Sequence, residues 1–189
     1  MRIISGSHKG RIIRPPAGLK VRPTTDLARE SLFNILGNFA DYDGLKVLDL
    51  FAGTGSVSYE FASRGAAQVD AVESNPKHAG FIADTVSKLE MERLQVYRED
   101  VRRFLGRTSF VYDLVFADPP YNLEWLDDIP DMVIDRGCLK PGGLLILEHP
   151  GNYSFNNHKY FSDHRRYGSV NFSFFQIPLG RGNVTTGAS

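Results

Sequence analysis

The residues of this chain best placed to do chemistry lie in four short stretches: "DLFAGTGS" (49 to 56), "AVES" (71 to 74), "YREDV" (97 to 101) and "DLVFADPPYN" (113 to 122). In the first, Gly53 and Gly55 permit backbone conformations and a close ligand approach that a Cβ would forbid. In the second, the Glu73 carboxylate can accept hydrogen bonds from both hydroxyls of a ribose. In the third, Asp100 can accept from an adenine amino group, or can cap a helix that begins at Val101. The fourth suits an amino group attached to a ring. Such a nitrogen is a poor nucleophile because its lone pair is delocalised, and acceptors beside its two N–H bonds hold it in line. The Asp118 carboxylate and the Pro119 carbonyl are such acceptors. Pro119 and Pro120 fix φ and bring no N–H, so the local surface is rich in acceptors, and Tyr121 offers a face on which a flipped-out base can stack.

Each stretch alone has a plainer reading. A glycine pair after a strand also suits NAD, although Ser58 stands where the third glycine of G-x-G-x-x-G would be. A bare D-P-P-Y is also a strand-ending turn. What joins the four is their position, because each follows an apolar run. "KVLDLF" is a strand, "SVSYEFASRG" a helix closed by Gly65, and "QVDAVES" a second strand. Asn75 and Pro76 then start a helix whose apolar face is Ala79, Ile82, Ala83, Val86 and Leu89. "LQVYRED" is a third strand, with a short helix over 101 to 105, and "YDLVFAD" is a fourth. A brief helix spans 131 to 136, "KPGG" is a turn and "LLILEH" a fifth strand. "HRRYGSV" and "NFSFFQIP" form a closing hairpin across Ser169 to Asn171. This alternation predicts an α/β fold with a mainly parallel seven-stranded sheet, helices on both faces and a terminal antiparallel hairpin. In such sheets ligands sit outside the carboxyl ends of the strands, which is where all four stretches fall.

The chain of 189 residues, 42% hydrophobic, has the length and composition of a single domain. Within it, residues 1 to 25 form an arm, 26 to 40 a helix packed on the body, 45 to 180 the core and 181 to 189 a loose tail. No apolar run resembles a signal peptide or a membrane span, so the expected location is cytoplasmic. Cys138 is the only cysteine, and the five histidines (His8, His78, His149, His158 and His164) are scattered without ligand spacing, so no metal is expected. The formal net charge of zero conceals an asymmetry. Residues 1 to 25 hold six basic residues and no acid, whereas the other 16 basic residues face 22 acids. Lys9, Arg11, Arg14, Lys20 and Arg22 in this arm can neutralise phosphates, with His164, Arg165 and Arg166 a weaker second patch, or the arm can serve only for solubility.

The four strand ends together resemble the Rossmann-like, S-adenosylmethionine-dependent methyltransferases. "MRIISGSHKGR", "RPTTDLARESLFNIL", "LDLFAGTGS", "SRGA" and "DLVFADPPY", in that order, resemble the RsmD family of bacterial 16S ribosomal RNA guanine-N2 methyltransferases. The likeness covers residues 1 to about 150, and 151 to 189 match only loosely. The helix after the glycines, "SVSYEFASRG", is more polar than the family leads one to expect. The resemblance implies S-adenosyl-L-methionine as cofactor. It places Asp49, Phe51, Ala52, Gly53 and Gly55 in the cofactor loop, Glu73 with Ser74 at the ribose, Asp100 with Val101 at the adenine and Thr25 in a segment folding over the methionine end. It makes Asp118, Pro119, Pro120 and Tyr121 catalytic, with Asp118 also facing the cofactor. It further implies that the basic arm binds 16S ribosomal RNA or an assembling small ribosomal subunit, and that the protein acts as a monomer without a metal. D-P-P-Y itself fits other amino acceptors equally well, such as adenine N6 or a protein glutamine. An NAD-dependent oxidoreductase and a non-catalytic RNA-binding module are the readings from other classes. The first lacks a clear acid or base for a nicotinamide, and the second leaves the intact glycines and carboxylates without a purpose.

Overall fold

The computed structural model of the protein describes residues 1 to 19, 26 to 37 and 41 to 179. Thr25, Lys20, Arg22 and the expected tail over 181 to 189 lie outside the described residues.

The elements, in chain order, are α1 (Asp26–Leu36), β1 (Lys46–Leu50), α2 (Ser56–Ser63), β2 (Gln68–Val72), α3 (Pro76–Lys88), β3 (Leu94–Tyr97), α4 (Val101–Arg107), β4 (Tyr112–Ala117), α5 (Ile129–Asp135), β5 (Leu139–His149), β6 (Phe161–Tyr167) and β7 (Val170–Gln176). The strands form one sheet in the order β3-β2-β1-β4-β5-β7-β6. Neighbours from β3 to β5 pair in parallel, while β7 runs antiparallel to both β5 and β6. The chain leaves β1 toward β2 on one side and later returns to place β4 on the other. That reversal opens a crevice at the carboxyl ends of β1 and β4.

Period-two alternation feeds two apolar layers. Val47, Val69, Leu114 and Ile146 join Leu32, Phe33, Phe61 and Ile82 on the face covered by α1, α2 and α3. Leu48, Leu50, Val115 and Leu147 join Phe104, Leu105, Ile129 and Val133 on the face covered by α4 and α5. The local signals act as the sequence indicates. Asn75 caps α3 by accepting from Lys77 N and His78 N, with Pro76 in the first position, and Gly65 ends α2 at φ 104.

Two elements differ from expectation. "KPGG" is not a free turn but lies within β5, as a bulge. Tyr112 pairs with Leu139 and Leu114 with Leu144, so β5 carries extra residues against β4. The displaced backbone is satisfied elsewhere: Gly142 N donates to Ile177 O at 2.9 Å, and Ile177 N donates to Gly143 O at 3.0 Å. The closing hairpin turns at Gly168 and Ser169, not across Ser169 to Asn171, because Tyr167 pairs directly with Val170. Gly168 (φ 62) supplies the left-handed backbone that a two-residue connection needs.

The described part of the basic arm is folded. Residues 1 to 13 double back on themselves, with Ile3 N donating to Arg11 O and Ile13 N to Met1 O, and they bury Ile3 and Ile13 in the first apolar layer. Its turn docks on the end of α2. A Cβ at Gly6 (φ 83) would lie 1.8 Å from the Ser63 carbonyl oxygen, so only glycine fits there. Buried Glu60 accepts from Ile4 N, Ser5 N and Arg64 Nε, and Ser63 Oγ accepts from His8 N. These contacts account for the unexpected polarity of "SVSYEFASRG".

Candidate active site

A crevice of about 640 Å³ lies over the carboxyl ends of β1, β2 and β4. Its walls bring together Phe51, Ala52 and Gly53 from the first stretch, Glu73 and Ser74 from the second, Asp100 and Val101 from the third, and Asp118 to Tyr121 from the fourth. Asp49 and Gly55 do not line it. Asp49 is buried at the base of the loop, and Gly55 (φ 82) caps α2, where a Cβ would lie 2.8 Å from the Tyr59 ring. The crevice also takes Thr54, Ser56, Asn75, His78 and Asn122, which the sequence reading did not assign to a site. Their signal was adjacency: each lies in the first few residues after a strand end already singled out.

The loop after β1 is bent sharply. Phe51 adopts φ 65, a left-handed conformation costly for a residue with a Cβ. Ala52 N then donates to Val72 O at 2.9 Å, stitching the loop to the neighbouring strand. The Phe51 ring rests 5.9 Å from that of Trp125, over which the Arg102 guanidinium sits at 5.0 Å.

Glu73 is held rigidly. Its Oε2 accepts from Gly53 N and its Oε1 from Asn75 N, both at 2.7 Å. Each carboxylate oxygen has a second acceptor site, so the group can still take two hydroxyls while fixed in direction by the backbone. Of the two readings of Asp100, the structure shows the helix cap. Its Oδ1 caps α4 by accepting from Arg102 N and Arg103 N, and the exposed side chain borders the crevice.

Beneath the loop, Ser58 Oγ donates to Asp49 Oδ2. Burial pushes the Asp49 carboxyl up to about 7, and the nearby Asp118 and Glu73 carboxylates push in the same direction while the Ser58 hydrogen bond opposes them. Three carboxyl groups, one on β1 and one just after each of its neighbours β2 and β4, therefore share one field. A site with that floor favours a cationic ligand. On the other wall Pro119 is buried and Pro120 exposed, and the half-buried Tyr121 donates its hydroxyl to Glu148 Oε1 at 3.3 Å. Glu148, in β5, is fully buried.

Of the arm's expected nucleic-acid contacts, Lys9, Arg11 and Arg14 are exposed. The arm's turn, which carries Lys9, docks at the far end of α2, about 10 Å along the helix from Ser56. Among the described residues no group of three or more His, Cys, Asp or Glu is placed to hold a metal ion, and no helix is long and apolar enough to cross a membrane.

The strand order, the glycine loop on β1 and the acid at the end of β2 define a Rossmann-like methyltransferase fold. Comparisons with known proteins agree. A family model described as "Conserved hypothetical protein 95" matches residues 1 to 176, and thus extends the likeness beyond residue 150 through β7. "Putative rRNA methyltransferase YlbH" of Bacillus subtilis is 36% identical over 153 residues, covering 79% of this chain and 82% of that protein. Ribosomal RNA small subunit methyltransferase D of Escherichia coli is 29% identical, covering 84% of each chain. The solved structure named "Putative methyltransferase yhhF" from Escherichia coli superposes with a TM-score of 0.83 at 27% identity, over 95% of this chain and 98% of that one. The chain belongs to the RsmD family, and it is a methyltransferase.

Proposed function

We propose that the protein transfers a methyl group from S-adenosylmethionine to the exocyclic N2 of a guanine in 16S ribosomal RNA. The observation that carries this reading is the pairing, across one crevice, of a backbone-locked Glu73 beside an open Gly53 with the Asp118 to Tyr121 wall. When bound, the cofactor supplies a methyl group already activated by a sulfonium charge, so the protein needs to contribute positioning and field rather than a metal. Glu73 holds the ribose hydroxyls, Asp100 faces the adenine, and the shared field of Asp49, Glu73 and Asp118 suits the cation. Asp118 and the Pro119 carbonyl accept the two N–H bonds of the base amino group and aim its lone pair. Tyr121, fixed through Glu148, stacks on the ring. The relatives named as small-subunit ribosomal RNA methyltransferases support RNA as the acceptor.

Lys9, Arg11 and Arg14, with Lys20 and Arg22, would meet RNA phosphates. Deleting the arm would expose the core that Ile3 and Ile13 cover, so point substitutions are the appropriate probe. The deciding experiment incubates the protein and labelled S-adenosylmethionine with unmodified small-subunit RNA, and separately with assembled particles, then maps the label. Label on a guanine N2 of 16S RNA is expected. Label on adenine N6, or on protein, would replace this assignment.

A further inference from the structure

We infer that the edge strand β6 is a second RNA-docking surface, on which Arg165 and Arg166 bind phosphates of the strand whose base enters the crevice. The inference rests on the RNA methyltransferase reading and names a part of its substrate surface.

Residues 26 to 149 hold 12 basic and 21 acidic residues, whereas residues 150 to 179 hold the three basic residues Lys159, Arg165 and Arg166 against the single acid Asp163. The part of the chain that builds the acceptor end of the sheet is therefore positive against a negative body, as a polyanion would require.

Register then fixes where that charge lies. Because β7 reverses direction and β6 reverses it again, β6 runs parallel to β5 and its carboxyl end reaches the rim that holds the crevice. Arg165 pairs with Phe172, which pairs with Glu148; Arg166 pairs with Asn171, which pairs with His149. The two arginines are thus level with the glutamate that holds Tyr121, two strand spacings or about 10 Å from β5. They project from opposite faces of the sheet, Arg165 with Phe172 and Arg166 with Asn171, so they bracket the edge.

The side chains are presented for such a ligand. Arg165 donates its Nε to Asp163 Oδ2 at 2.8 Å, and Arg166 donates its Nε to Gly168 O at 3.0 Å. Each fork is steadied through Nε, while the Nη groups take no hydrogen bond among the described residues, and both arginines are exposed. A guanidinium held in this way offers two parallel donors to a phosphate. His164, whose ring lies 5.9 Å from that of His149, continues the strip inward along β6.

The test measures binding of transcribed small-subunit RNA across a salt series for the wild-type protein and for Arg165→Ala/Arg166→Ala, with S-adenosylmethionine affinity measured by calorimetry on both. The expected result is about a tenfold weaker RNA affinity and a salt slope shallower by about 1.5, with cofactor affinity unchanged. Arg165→Lys/Arg166→Lys should restore most of the slope. Unchanged affinity and slope in the alanine variant would overturn the proposal. Hydrogen exchange of the wild-type protein with and without the RNA gives a variant-free readout: protection over 162 to 167 supports the surface, and none refutes it. Wild-type protein that binds no RNA at all would instead refute the broader reading.

Discussion

The two walls of the crevice hold their carboxylates by different means. On the wall proposed to hold the cofactor, Glu73 and Asp100 are gripped by backbone N–H groups, of Gly53 and Asn75 for one and of Arg102 and Arg103 for the other. On the wall proposed to receive the acceptor, a side-chain contact, from the Tyr121 hydroxyl to the Glu148 carboxylate, bridges the end of β4 and β5. A backbone grip is rigid and indifferent to the side chains around it, which suits a ligand that never changes. A side-chain grip can be retuned by substitution, which suits the wall that must select its acceptor.

If the walls divide the labour in this way, substitutions should separate turnover from cofactor binding. The largest effect is expected for Asp118→Ala. Removing one acceptor aimed at the reacting nitrogen should lower kcat by about 10²–10³-fold, with S-adenosylmethionine affinity much less affected in calorimetry. Equal losses in both would collapse the distinction. Glu73→Ala should do the reverse. It strands the N–H groups of Gly53 and Asn75, costing about 1–3 kcal/mol for each that is buried and unpaired, and should weaken cofactor binding and lower the melting temperature together. Glu148→Gln is expected to be milder. An amide oxygen can still accept from Tyr121, so KM for RNA should rise only about threefold, because the hydrogen bond is kept and loses its charge assistance, while cofactor affinity holds. A change in cofactor affinity without a change in KM would place Glu148 on the wrong wall.

Much of this was legible from strand ends alone. The glycine turn, Glu73, Asp100 and the D-P-P-Y stretch could be placed at one crevice from local sequence, because each follows an apolar run and the sheet topology does the rest. What was not legible depended on distant partners. Asp49 reads as a loop residue, yet it is buried against Ser58, and the serine that breaks the glycine pattern is what satisfies it. Glu60 and Ser63 read as unwelcome polarity on α2 until the arm docks on them. "KPGG" has every mark of a turn, and only the partners Ile177 and, on β4, Tyr112 and Leu114 make it a bulge. Gly6 could be anticipated as a glycine but not as the point where the arm meets the Ser63 carbonyl.

A pH effect tests whether the two walls share one field. Burial first, and then Asp118 and Glu73, raise the Asp49 carboxyl to about 7. A carboxyl raised in the folded state binds a proton that the unfolded chain has released, so its stabilising contribution is full below about 4 and is lost as pH climbs through 7. Binding of a cation runs the other way, because the ionised form attracts it. Cofactor affinity should therefore strengthen between pH 6 and 8, by an amount set by a Coulomb energy of about 1 kcal/mol, or roughly fivefold. Asp49→Asn should flatten that part of the profile, and thermal melts of the same variant should lose the decline in stability toward pH 8. Asp118→Asn should shift the wild-type inflection downward without removing it, since it deletes one of the charges that raise Asp49. An inflection left in place by Asp118→Asn would mean that the acceptor wall does not act on the cofactor wall through this group, and the two would be coupled only by the ligand between them.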